Sequence, residues 1–236
     1  MIEVNDKLLA DIKAHAEECL PNESCGLIVN DGTVHYVRCI NTAVEGSDFR
    51  IDPEQYADFA DRYDIIGIAH SHPQMSCQPS MADLVGCETS GLPWLIMNMP
   101  SGEWMQFEPS GYEAPYLERP FVMGVLDCYA LVRDWSKRER QIDLPNIPRK
   151  MNFWRNPANN YFVDNYLQHG FESIPLGSKP MIGDVFLMQI RSSIPNHCAV
   201  YIGEGRILQH CLGQLSQRYV YGGTWAHLTT HHLRHA

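Results

Sequence analysis

Ile65-Ile66-Gly67-Ile68-Ala69-His70-Ser71-His72-Pro73 leads, after six further residues, into Ser80-Met81-Ala82-Asp83. The apolar run reads as a buried strand ending at His70, and residues two apart on a strand point to one face, so both imidazoles can reach one ion. Ser80 is a good helix N-cap, and Ala82, Leu84 and Val85 continue with helical spacing, which sets Asp83 in the first turn of a helix returning toward the histidines. Two neutral imidazoles and a carboxylate suit Zn²⁺, and three protein ligands leave a fourth position open for water, as a catalytic ion requires. A structural reading competes for each half: Ser80-x-x-Asp83 also has the form of a capping box, and a lone His-x-His on a strand is often structural. The conjunction favours the metal. Cys77 lies between the two halves, where a thiolate would close the fourth position; the preferred reading leaves it out of the ligand set.

The surrounding sequence builds a domain around that site. Leu8, Leu9, Ile12, Ala16 and Cys19 share one side of an amphipathic N-terminal helix with acids on the other. Cys25 to Val29 and Thr33 to Ile40 form a hairpin across Asn30-Asp31-Gly32, and Asp52-Pro53-Glu54-Gln55 has the cap and N1 proline of a helix start. The helix from Ser80 stops at Gly91, and strands Trp94 to Met99 and Glu103 to Glu108 flank Pro100-Ser101-Gly102. This is a mixed α/β domain with its site at a strand terminus.

The spacing of two histidines, a proline, six residues, a serine and an aspartate resembles the JAMM (MPN-type) metallopeptidases. That family supplies a glutamate just before a Cys-Gly pair, where this chain has Pro21-Asn22-Glu23-Ser24-Cys25-Gly26. The resemblance implies His70, His72 and Asp83 as Zn²⁺ ligands, Glu23 as general base, and Ser80 as a donor to the tetrahedral oxyanion, a type of contact worth ~3 kcal/mol.

At 236 residues with 44% hydrophobic content, the chain can form two cores of ordinary domain size. Glu108-Pro109-Ser110-Gly111-Tyr112-Glu113-Ala114-Pro115, with Pro120 beyond, is a run of loop formers that puts the cut near residue 115, giving domains 1–115 and 116–236. Charge divides at the same place: the first part holds 19 acidic and 5 basic side chains, the second 9 acidic and 13 basic. No basic stripe interleaved with aromatics appears, which argues against a nucleic-acid partner, and Lys137-Arg138-Glu139-Arg140 reads as a solvated helix end. No signal peptide pattern or membrane-inserting segment is visible. Eight cysteines without Cys-x-x-Cys spacing fit reduced thiols better than a disulfide framework.

The second half has its own reactive centre. Asp127-Cys128-Tyr129-Ala130-Leu131-Val132 begins a helical periodicity at Cys128, where oriented backbone amides favour a thiolate. Asn196 to Gly203 reads as a strand, Gly203-Glu204-Gly205 as a turn, and Arg206 to Cys211 as the partner strand. With a two-residue loop at Glu204-Gly205, His210 faces Ala199 and becomes a diagonal neighbour of His197 on one face; a three-residue loop would set the two histidines on opposite faces. A buried structural cysteine and surface histidines are the plainer reading of each residue alone.

Asp-Cys at a helix start, followed by His-x-Ala-Val-Tyr-Ile-Gly, resembles the NlpC-type cysteine peptidases. The resemblance implies Cys128 as nucleophile, His197 as proton carrier and His210 as its orienting partner, with the Cys128 backbone N–H at the oxyanion. Tyr129 and Ala130 depart from the usual Asp-Cys-Ser-Gly, and Phe121 and Gly124 stand where an upstream tyrosine is often found, which bears on substrate contacts rather than on the dyad.

Both halves in this order, with Asp-Cys-Tyr, resemble the tail tip assembly K family of lambda-like phages. The expected fold class is α+β, a mixed sheet flanked by helices followed by a papain-like NlpC-type domain. The implied partners are phage tail tip proteins, and the implied substrates are peptidoglycan stem peptides or a protein. The implied location is host cytoplasm during assembly and the tail tip in the virion, with action on the cell wall. Two other readings stand beside the dual peptidase: a tail tip adaptor whose sites are catalytically weak, and a cellular JAMM-type deconjugating peptidase with an appended thiol domain.

Overall fold

The computed structural model describes residues 2–43 and 48–236, and its contacts divide the chain into two compact units, Met1–Glu113 and Ala114–Ala236. The division falls at residue 113 rather than 115 because the buried Arg119 side chain, ion-paired to Asp134 at 2.6 Å, donates to the carbonyls of Ala114 and Pro115. Those two residues are thereby tied into the second unit. Upstream, Glu88 accepts from the N–H groups of Ser110 at 2.6 Å and Tyr112 at 2.9 Å, which anchors the end of the first unit.

In the first unit the elements run α1 (Asp6–Cys19), β1 (Cys25–Asn30), β2 (Val34–Cys39), α2 (Pro53–Ala60), β3 (Asp64–His72), α3 (Met81–Ser90), β4 (Trp94–Asn98) and β5 (Trp104–Phe107). The sheet order is β2-β1-β3-β4-β5, antiparallel except for the parallel pair β3 and β4, which α3 connects. Both faces of the sheet are covered, so β1 is apolar on alternate sides. Ile28 packs with Leu8, Ile12 and Ala16 of α1, while Leu27 and Val29 pack with Cys87 and Trp94 on the other face. α1 buries His15 rather than Cys19, because the His15 ring bonds the Tyr36 hydroxyl at 2.9 Å inside the core. Gly26 is needed in β1: a Cβ there would lie 2.4 Å from the Val37 carbonyl oxygen.

The second unit contains α4 (Cys128–Arg140), a 3-10 turn (Phe153–Arg155), α5 (Tyr161–Asn165), β6 (Phe171–Ile174), β7 (Val185–Met188), β8 (His197–Gly203), β9 (Arg206–Gln209), β10 (Gln217–Val220), α6 (Gly223–Leu228) and β11 (Thr229–His235). Its antiparallel sheet has the order β10-β9-β8-β7-β11-β6. Leu131, Val132 and Trp135 of α4 pack on Val185, Leu187, Val200 and Leu208, and the opposite face carries Phe186, Met188, Ala199 and Ile207. The protein is α+β throughout. Among the described residues no helix is long and apolar enough to cross a membrane.

Candidate active sites

His70 and His72 end β3 and are buried, with their Nε2 atoms 3.1 Å apart. Asp83 stands in the first turn of α3, with Oδ1 at 3.2 Å from His70 Nε2 and Oδ2 at 3.4 Å from His72 Nε2. The local sequence sets each group. The capping box closes as Ser80 Oγ accepts from the Asp83 N–H at 3.2 Å and Asp83 Oδ2 accepts from the Ser80 N–H at 2.7 Å, so the carboxylate is held by its own helix start while it faces both imidazoles. The capping and metal readings of Ser80 and Asp83 therefore coexist.

His72 Nδ1 lies 2.7 Å from the Ser76 carbonyl oxygen, so it donates there and presents its lone pair at Nε2. His70 is oriented by packing instead: its ring stacks on Phe49 at 4.4 Å and meets Trp94 edge-on, and its buried Nδ1 has no hydrogen-bond partner among the described residues. Two imidazole nitrogens and one carboxylate oxygen, all within 4.8 Å of one another, form a donor set that fits a divalent ion with nitrogen and oxygen preference. Cys77 is half-buried and lies outside this cluster. Burial opposes charge on Asp83, but the His70 and His72 imidazoles beside it outweigh burial and hold the carboxyl well below its ordinary range.

Glu23 is 3% exposed. It is brought to the site by Ser71, the residue between the histidines, whose Oγ accepts from the Ser24 N–H at 2.9 Å while its own N–H donates to the Ser24 carbonyl at 3.1 Å. The only mark of Ser71 in the sequence is its place on the strand face opposite His70 and His72. Burial, then the negative charges of Asp83 and Asp48, push Glu23 up to about 9. A divalent cation among these carboxylates acts in the opposite direction, favouring the ionised form.

In the second unit, Cys128 opens α4 at the wall of a cavity of about 380 Å³ that Trp154, Trp225 and His197 also line. Asp127 caps the helix: its Oδ1 accepts from the N–H groups of Tyr129 at 3.0 Å and Ala130 at 2.9 Å. The Cys128 N–H takes no partner among the described residues, so it remains available to an oxyanion. The buried Arg149 guanidinium donates to both Asp127 oxygens, with Nε at 2.7 Å from Oδ2. Arg149 has no mark in the sequence, since nothing near it in the chain points to Asp127.

The neighbouring Cys198 thiol and His197 imidazole favour the Cys128 thiolate and overcome burial to lower its pKa. Burial opposes charge on His197, but hydrogen bonds to Cys128 and Cys211 outweigh it and push the imidazole up to about 10. Both shifts favour the thiolate–imidazolium form of the pair. His197 Nε2 lies 2.8 Å from Gln209 Oε1, an acceptor, and 3.8 Å from Cys211 Sγ. In the neutral ring the proton sits on Nε2, leaving Nδ1 to exchange a proton with the thiol.

The residue orienting His197 is Gln209, not the expected His210. Of the two loops the sequence left open, the turn is the two-residue one, with Gly203 paired to Arg206 and both Glu204 (φ 52°) and Gly205 (φ 68°) left-handed. A bulge between Tyr201 and Gly203 shifts the ladder by one residue, so Ala199 faces Gln209. His210 is turned away, fully buried, with Nε2 at 3.1 Å from the Gln214 carbonyl and its ring edge-on to Phe121. Burial lowers its pKa to about 4, so it stays neutral.

Residues 5–108 match the family described as prokaryotic homologs of the JAB domain, and residues 118–234 match the NlpC/P60 family. The Tail tip assembly protein K of Escherichia phage N15 is 34% identical over 235 residues, 98% of this chain and 96% of that protein. The Tail tip assembly protein K of Escherichia phage lambda is 35% identical over 186 residues, 78% of this chain and 89% of that protein. A solution structure of a protein from Desulfitobacterium hafniense shares 29% identity and a TM-score of 0.37, covering 45% of this chain and 81% of that one.

Proposed function

From a chain that belongs to the tail tip assembly protein K family, with a JAB-related unit followed by an NlpC/P60 unit, we propose a phage tail tip assembly protein carrying two peptidase centres. Its partners are tail tip proteins of the assembling particle in the host cytoplasm, and its thiol centre cuts stem peptides of peptidoglycan, or a tail protein, when the tip meets the wall. The observation that carries this reading is the convergence of Cys128 and His197 on one cavity, with Gln209 bonded to His197 behind it and the Cys128 N–H unpaired among the described residues.

The Cys128 thiolate attacks the scissile carbonyl, and the developing oxyanion meets the Cys128 N–H at the start of α4. His197 gives its proton to the leaving amine as the C–N bond breaks, leaving a thioester. It then takes a proton from water as that water attacks the thioester, the C–S bond breaks, and the acid is released with the thiolate and imidazolium restored. Gln209 keeps the ring from turning through both proton transfers.

In the first unit His70, His72 and Asp83 would hold the metal, Zn²⁺ by donor type. The chemistry such an ion supplies is Lewis acidity toward a carbonyl and toward water. Glu23 accepts the proton of the attacking water and passes it to the leaving nitrogen, and the Ser80 hydroxyl, whose oxygen is already an acceptor in the cap, keeps its hydrogen to donate to the oxyanion. The bond cut is a peptide or isopeptide bond.

Purified sacculi incubated with wild type, Cys128→Ala and Glu23→Gln test the assignment, with metal content measured on each sample. We expect muropeptide release to depend on Cys128, and one bound zinc per chain to be lost in His70→Ala. Equal release by all three proteins would remove the wall-peptidase reading, and a wild type that binds no divalent metal would remove the zinc reading.

A further inference from the structure

The catalytic cavity of the second unit carries one positive charge that nothing in its lining neutralises. Asp127 is matched by Arg149 and the Cys128 thiolate by the His197 imidazolium, whereas Arg191 lines the same cavity, is exposed, and has no hydrogen bond or ion pair among the described residues. Its placement is built. Arg191 adopts a left-handed backbone, φ 49°, a conformation that side chains with a Cβ rarely take and that recurs where function requires it. Asn196, the neighbour of His197, clamps the preceding residue: its Oδ1 accepts from the Ile190 N–H at 2.8 Å and its Nδ2 donates to the Ile190 carbonyl at 3.1 Å. Gln189 ties the other side of the loop by donating to the Ser193 carbonyl at 3.1 Å.

We infer that Arg191 is a specificity-determining residue that receives a carboxylate of the substrate beside the bond presented to Cys128. This rests on the thiol-peptidase reading above and narrows it to peptides with an acidic residue flanking the scissile bond. The remaining lining, largely aromatic and aliphatic, offers such a carboxylate no other free cation. A guanidinium is suited to the task because its planar fork matches a carboxylate with two parallel hydrogen bonds.

The test needs no natural substrate. Alkylation of Cys128 is followed by peptide mapping with iodoacetate, an anion, and iodoacetamide, its neutral counterpart, in wild type, Arg191→Gln and Arg191→Lys. The iodoacetate to iodoacetamide rate ratio should fall about threefold to tenfold in Arg191→Gln, the effect of one unit charge at the mouth of a partly screened cavity. It should be largely kept in Arg191→Lys, and should fall with added salt in wild type. Rapid alkylation of Cys128 with a ratio unmoved by Arg191→Gln overturns the inference alone. Inertness of Cys128 to both reagents overturns the thiol-peptidase reading and the inference with it.

Discussion

Removing the Asp127 carboxylate should cost the second unit more than any exposed charge could. Asp127 and Arg149 are each about 1% exposed at the side chain, and Asp127 also satisfies the N–H groups of Gly124, Tyr129 and Ala130. Losing an N-cap costs about 1 kcal/mol, and stripping one partner from a buried ion pair costs about 3 to 5 kcal/mol because the other charge is left in a medium that solvates it poorly. Arg149 keeps two acceptors, Asn146 Oδ1 at 3.1 Å and the Ile147 carbonyl. That retention points to the lower end, so Asp127→Ala should cost about 4 kcal/mol, a large part of the roughly 5 to 15 kcal/mol that a domain has. The assay is equilibrium urea unfolding of the second unit, followed by exposure of the fully buried Cys198 thiol to a coloured disulfide reagent. Arg149→Met in the Asp127→Ala background should recover about 3 kcal/mol, since the orphaned charge is gone and only the cap is still missing. A single-variant cost below about 1 kcal/mol, or strict additivity of the two substitutions, would refute the claim that this pair secures the start of α4.

Two further outcomes follow from the geometry around His197. Gln209→Ala should lower kcat/KM by about 10²-fold, in the way an orienting partner does when the ring loses its tautomer and position, while His210→Gln should stay within about threefold of wild type; the reverse order would restore His210 as the partner. For pH, the sign is set by a thiol lowered by its bonds to Cys198 and His197 and an imidazole that bonds to Cys128 and Cys211 raise to about 10 against burial. Reactivity should therefore vanish on the acid side only below the ordinary thiol range, as Cys128 takes up its proton, and decline on the alkaline side near pH 10, as His197 loses its own. Iodoacetamide rates at Cys128 that rise tenfold per pH unit through pH 8, as for an unperturbed thiol, would contradict this.

Elements with strong local signals were readable in advance. The capping box at Ser80 and the left-handed Gly91, φ 67°, bound α3 as the sequence indicated, and His70 and His72 converge because strand alternation leaves no other choice. The strand extends past His70 to His72, since Met97 and Asn98 of β4 still pair with Ser71 and His72. Gln209 was missed for a definite reason. A single bulged residue has no strong sequence mark, yet it moves every later side chain on β9 to the other face, so a correct turn and a correct strand still gave the wrong partner.

The chain by itself determined the residue types that can do chemistry and the elements that carry them, because capping, periodicity and turn preferences act over a few neighbours. Tertiary structure decided which of those residues meet. Arg149 reaches Asp127 from 22 positions away, Ser71 draws Ser24 and hence Glu23 to the histidines across 47, and the ladder register chooses Gln209 over His210. Those choices are made by burial: a charge, a hydroxyl or an imidazole removed from water takes the partner that the packed core sets within reach, and no local pattern encodes that distance.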